Sequence, residues 1–118
     1  MMTLDDFDRF CANLREAAHV VQWGGASVWK VRGKVFAIGG WSDSPQLAIT
    51  FKCPELSFAI LKDQSGLRPA PYLASRGLSW MQRVDDSFLS DAELEDYVRQ
   101  GYKLVVATLP KKTRSEMR

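Results

Sequence analysis

The 118-residue chain carries 16 Lys and Arg against 14 Asp and Glu, a net charge of +2, and is 46% hydrophobic with four Trp, three Tyr and six Phe. That composition excludes a disordered chain, and the length suits one domain rather than two. No apolar run approaches the roughly 20 residues that span a bilayer. The acidic start MMTLDDFDRF lacks the basic-then-apolar order of a secretory signal, so the expected location is cytoplasmic.

Residues 3–17 read as a helix. Thr3 caps it, Asp6 answers as the third residue of a capping box, and Met2 is placed to staple onto Phe7. Leu4, Phe7, Phe10, Cys11 and Leu14 form its apolar stripe. From about residue 19 the period becomes two. A hairpin is expected with Val28–Arg32 as one arm, Gly33-Lys34 as the turn and Val35–Gly39 as the return. GWSDSP at 40–45 is turn chemistry, and LAITFKC at 47–53 alternates as a third strand, with Leu47, Ile49, Phe51 and Cys53 on one face. Pro54 opens a short helix whose buried side is expected to be Leu56, Ala59 and Ile60. The stretch 67–79, with Pro69 and Pro71, is a loop with room for an edge strand near Tyr72, and Trp80–Val84 is another strand. Ser90 and Glu93 form a second capping box. It opens a helix with Leu94, Tyr97, Val98, Gly101, Val105 and Leu109 on one face. After Pro110, KKTRSEMR is expected to fray.

The predicted order is α-β3-α-β2-α: an α+β, two-layer sandwich with helices on one face of an antiparallel sheet and the other face partly open. Residues 1–110 form the domain and 111–118 a basic tail, in a chain expected to be monomeric.

Charge is unevenly spread. Residues 17–84 sum to +5, residues 85–96 hold six carboxylates and no base, and residues 97–118 sum to +5. Acids at helix starts and bases at helix ends follow from the macrodipole, which leaves only the basic middle without a structural cause. There Lys30 and Arg32 share a strand face and Lys34 sits at the hairpin tip. Lys52, Arg68 and Arg76 are candidates to join them as phosphate contacts. The same alternation is also what solubility and edge protection ask of an exposed strand.

Catalytic patterns are missing. The one histidine, His19, has no Asp or Cys motif around it, and no HExxH, GxSxG, GxGxxG or P-loop occurs. Cys11 and Cys53 have neither zinc nor redox spacing and read as buried free thiols. Asp91, Glu93, Glu95 and Asp96 read as a solvated helix start rather than a metal site. The expectation is a non-enzyme with no cofactor and no metal.

Several motifs carry a resemblance: Lys34-Val35-Phe36-Ala37 after the hairpin, Lys52-Cys53-Pro54-Glu55-Leu56 at a strand-to-helix junction, and Arg68-Pro69-Ala70-Pro71-Tyr72-Leu73 in the loop. Gly77 to Trp80 follows, then Gly101-Tyr102-Lys103-Leu104-Val105 running into Leu109-Pro110-Lys111-Lys112. In this order they resemble the MmcQ/YjbR family of small bacterial proteins, end to end. One departure is Gly101, where family members commonly carry Ser; helix propensity alone says this weakens the last helix slightly. The resemblance implies an α-β3-α-β2-α sandwich similar to secretion-chaperone-like and CyaY-like folds, and DNA binding through a double-wing arrangement. It supplies no catalytic residues. The functional expectation is therefore DNA binding through a basic hairpin wing. The alternative is an adaptor that takes a protein or small ligand on the open sheet face or the Pro-rich loop.

Overall fold

Helix α1 (Leu4–Ala12) begins where its cap was expected. Thr3 Oγ1 accepts from the Asp6 amide and Asp6 returns the bond to the Thr3 amide, each at 3.1 Å. The structure, a computed structural model, describes residues 2–43, 45–71 and 79–117. α1 stops five residues short of the expected end. Asn13 caps it, its side-chain amide donating to the Arg9 carbonyl, and Glu16 turns the chain through a left-handed φ of 58°. Ala17-Ala18, good helix formers in isolation, are taken instead by a strand, because sheet pairing outweighs a few tenths of a kcal/mol of propensity.

That strand, β1 (Ala17–Gln22), is one more than the sequence suggested. It pairs with β2 (Ala26–Val31), which pairs with β3 (Lys34–Gly39) and then β4 (Ile49–Lys52). After α2 (Glu55–Leu61) come β5 (Leu67–Pro69) and β6 (Trp80–Arg83), giving an antiparallel six-stranded sheet ordered β1-β2-β3-β4-β6-β5. Pro69 thus lies on an edge strand, the one sheet position that tolerates its missing N–H. The edge strand expected near Tyr72 lies outside the described residues. Helix α3 (Asp91–Ala107) starts with its capping box intact and is followed by a short helix α4 (Lys111–Glu116).

Two features reset the strand parity. The hairpin turn is Arg32-Gly33, not Gly33-Lys34, with φ of 49° and 82° at its two central residues; two successive positive φ values match the twist of the flanking strands. A bulge in β3 opposite Trp29/Lys30 then places Phe36 and Ala37 both on the helix side, while Val35 and Ile38 face away.

The main core lies between the sheet and α1, α2 and α3. It joins Phe7 and Cys11 of α1, Trp29, Val31, Phe36, Ile49, Phe51 and Met81 of the sheet, and Leu94, Val98 and Val105 of α3. α2 is rotated from the expected phase. Leu61 is buried and Phe58 partly so, while Leu56 and Ile60 are 75% and 57% exposed. Met117, after α4, is also in this core, so the segment expected to fray is docked.

At one point α3 approaches the sheet backbone directly. A Cβ on Gly101 would lie 2.6 Å from the Lys52 carbonyl oxygen. Gly101→Ala is accordingly expected to destabilise by about 1–3 kcal/mol through overpacking, against the roughly 1 kcal/mol that helix propensity alone would gain. Denaturant midpoints of the two proteins decide the sign.

Arg83 is fully buried. Its guanidinium donates to the Leu89 carbonyl at 2.8 Å and pairs with Asp91 at 2.9 Å, tying β6 to the start of α3. Burial raises the Asp91 pKa, but the hydrogen bond and charge of Arg83 outweigh it and hold the carboxyl below its ordinary range. A depressed carboxyl contributes stability that is complete above its unfolded value of 3.8 and is lost as pH falls through the lower folded value. Asp91→Asn is therefore expected to lose stability at neutral pH and to show a smaller further loss on acidification than the native chain. Urea unfolding at neutral pH and at about pH 3 measures both.

Candidate nucleic-acid interface

The hairpin tip does not stand away from the body as a wing. Arg32 leaves the β2 face at the left-handed turn, so it and Lys30 are not brought together. Its Nε meets Glu16 Oε1 at 2.7 Å, and its Nη1 lies 3.6 Å from Glu116 Oε2 of α4. The Glu16 hydrogen bond, ahead of its charge, holds the guanidinium protonated by raising an already high pKa. Lys34, one residue past the turn, donates to Thr108 Oγ1 at the end of α3 at 3.3 Å. Tyr102 of α3 donates to the Arg15 carbonyl at 2.5 Å.

These contacts fold the C-terminal segment against the hairpin. α4 brings Lys111, Lys112 and Arg114 to the end of the molecule that already holds Arg15, Arg32 and Lys34, with Glu16 and Glu116 as the interspersed acids. Lys34, Lys111, Lys112 and Arg114 are all exposed. Sequence reasoning missed this juxtaposition because it treated residues 111–118 as frayed. The one sequence signal for docking was Met117, an apolar residue in an otherwise polar run.

The remaining expected contacts lie elsewhere. Lys30 and Lys52 are half-buried on the sheet face away from α3, Lys30 opposite Val35 and Lys52 opposite Trp80. Arg68, on edge strand β5, is exposed but tethered: its Nε donates to Gln82 Oε1 at 2.8 Å and its Nη2 to Ser42 Oγ at 3.2 Å. Arg76 lies outside the described residues.

The face expected to be open is largely closed in its middle. Val28, Ile38, Thr50 and Gln82 are all buried, and Gln82 donates to Thr50 Oγ1 at 3.1 Å. Trp41 packs over Ala26, Val28 and Ile38, with its ring 5.2 Å from that of Trp23. Both tryptophans have left-handed backbones, at φ 61° and 51°, which is unusual for bulky side chains.

A second polar constellation was not legible in the sequence. Asp8 of α1 accepts from Ser27 Oγ at 2.9 Å and from Trp29 Nε1 at 2.8 Å, and His19 Nε2 lies 2.6 Å from the same Ser27 hydroxyl. Serine stands between histidine and carboxylate, so its single proton is committed to Asp8 and the imidazole can only donate to it. That is the reverse of a nucleophile-activating relay; the cluster instead pins α1 to β2. Between α1 and α3 lies a cavity of about 300 Å³ lined by Met2, Asp6, Arg9, Phe10, Asp91 and Glu95. Two of its carboxylates are already engaged, Asp6 as a cap partner and Asp91 with Arg83. Among the described residues no group of three or more His, Cys, Asp or Glu is placed to hold a metal ion, and no helix is long and apolar enough to cross a membrane.

Cys11 and Cys53 are both buried. Burial pushes the Cys11 thiol far up, and Cys53 up to about 11. Both stay protonated at neutral pH, and thiolate is the reactive form. Alkylation by iodoacetamide at about pH 8 is expected to be negligible in the folded chain and complete once denaturant unfolds it, followed by mass spectrometry.

Comparison with known proteins bears on the fold and the family. No curated protein matches the chain with significance. A crystal structure of Deinococcus radiodurans protein DR2400, described with family domain DUF419, is similar at a TM-score of 0.85 with 21% identity, covering 99% of this chain and 88% of that one. A structure of a protein from Pseudomonas syringae is similar at a TM-score of 0.69 with 14% identity, covering 87% of this chain and 98% of that one. At those identities the likeness concerns the fold. The YjbR family model matches residues 12–104, from the end of α1 to the last turn of α3, and so takes in the whole sheet. The chain belongs to the YjbR family.

Proposed function

We propose that this protein binds DNA without a catalytic step, in the cytoplasm, through the cationic end built from the hairpin tip and α4. One observation carries the reading: Met117 enters the core while Glu116 reaches Arg32 and Thr108 reaches Lys34, so the C-terminal segment is docked at the hairpin end and cations far apart in sequence come to one end of the molecule. Lys34, Lys111, Lys112 and Arg114 keep their charges exposed there. Flexible lysine side chains on a docked helix can follow a phosphate backbone without reading bases, which fits a mainly sequence-independent interaction. Arg32 acts chiefly as the clasp, since two carboxylates already hold it. Lys30 and Lys52, half-buried on the other sheet face, and the tethered Arg68 are secondary contacts in this reading.

The affinity should be modest and steeply salt-dependent. Neutralising each phosphate contact releases counterions and contributes about −0.9 to the slope of log K against log salt on duplex DNA. The triple variant Lys34→Glu, Lys111→Glu, Lys112→Glu is expected to reduce that slope by about 2–3 and to weaken binding at low salt at least tenfold. Lys30→Glu with Lys52→Glu should have a smaller effect. Fluorescence anisotropy with a labelled duplex across a salt series reads both. Native-like binding by the triple variant, or no binding by the native chain at low salt, would overturn the proposal.

A further inference from the structure

The two edges of the sheet are built differently. β5 is three residues long and carries Arg68 and Pro69, devices that blunt an edge. β1, at the other end of the sheet, runs six residues, AAHVVQ, with no lysine, proline, glycine or formal charge. Its burial pattern leaves Ala18, His19 and Val21 exposed, Val21 at 60%. Among the described residues no strand pairs with its outer side.

The register fixes which backbone groups point outward. Val31 and Lys34 close the two-residue hairpin, so Val31 bonds toward β3 and its neighbours Lys30, Val28 and Ala26 bond toward β1. Their partners Ala18, Val20 and Gln22 are thereby used. Ala17, His19 and Val21 face out, in keeping with the Ala17 amide, which goes to the Leu14 carbonyl. The free edge therefore offers the amide and carbonyl of His19 and of Val21.

We propose that this edge pairs antiparallel with the same strand of a second copy, about a two-fold axis through Val20 perpendicular to the sheet. In that register His19 lies opposite the partner's Val21 and each such pair exchanges two bonds, so all the free groups of both residues on both copies are satisfied. An axis through His19 would leave each Val21 carbonyl facing an Ala17 amide already given to Leu14, and would set two imidazoles opposite each other. With the axis on Val20, the exposed Val21 side chain is covered by the other copy's imidazole. The chain just before β1, Arg15-Glu16, meets the uncharged Gly24-Gly25 turn. No like charges oppose one another, which is the electrostatic condition for a strand to meet itself. The junction is small by the standards of stable interfaces, so the dimer is weak and concentration-dependent, in place of the monomer expected from sequence. The groups that make the pairing, on His19 and Val21, are not those varied to test DNA binding, so different variants decide the two proposals.

Cross-linking and sedimentation test it on the full chain. Across the axis the two Val20 Cα atoms lie about 4.5 Å apart as a non-hydrogen-bonded pair, within disulfide reach. Val20→Cys is expected to give a covalent dimer on mild oxidation, and Ala18→Cys, which lands opposite Gln22, none. Val21→Lys, at an exposed site that leaves the β2 ladder intact, should raise the dimer dissociation constant about tenfold or more, with no change in thermal midpoint at concentrations where both chains are monomeric. Sedimentation velocity that finds only monomer at every concentration, a dimer indifferent to Val21→Lys, or equal cross-linking at positions 18 and 20 would each overturn the pairing. So would an edge that takes an extended peptide while the chain itself stays monomeric.

Discussion

The close seat of α3 on β4 is the contact from which the rest of the molecule follows. With hydrogen alone at Gly101, the helix backbone comes down onto the Lys52 carbonyl, and Leu94, Val98 and Val105 reach the sheet on either side of that point. A Cβ at 2.6 Å from a carbonyl oxygen would lift the helix, and close-packed interiors absorb such a displacement poorly. The depth of this seat sets where Tyr102 meets Arg15 and packs edge-on against Phe36, and where Thr108 arrives beside Lys34.

From there the arrangement of charge is a consequence of packing. α4 turns back after Pro110, Met117 enters the core, and Glu116 comes within 3.6 Å of Arg32. The ion pair is half-exposed and contributes little energy by itself; the buried methionine supplies the hydrophobic anchor. The outcome is a surface on which one arginine is committed to carboxylates and the neighbouring lysines are not. A cationic end assembled in this way differs from a projecting wing, since its geometry depends on α3 and α4 as much as on the hairpin.

Buried polar chemistry serves the same framework. Arg83 links β6 to α3, Asp8 links α1 to Ser27 and Trp29 of β2, and Gln82 joins Thr50 to Arg68 across three strands. Each ties two or more elements together, and losing one member would leave a buried polar group without its partner, a cost of about 1–3 kcal/mol. These residues are therefore positional pins, and the YjbR fold of this chain uses them on both faces of the sheet.

Local signals determined much of this from the sequence alone. Both capping boxes, the α3 stripe, the buried thiols and the alternation of Ile49, Thr50, Phe51 and Lys52 depend on residues a few positions apart, where 3.6- and 2-residue periods and cap chemistry act directly. What failed depended on distant partners. Ala17-Ala18 became strand because β2 was there to pair with, the bulge at Phe36 set two successive residues on the helix side, and α2 turned Phe58 and Leu61 inward rather than Leu56 and Ile60. The candidate site divided the same way. The sequence named the basic residues of the hairpin, but only the folded chain could send Arg32 to two glutamates and bring α4, with Lys111 and Lys112, to the hairpin end, because burial of Met117 against residues distant in sequence docks that segment.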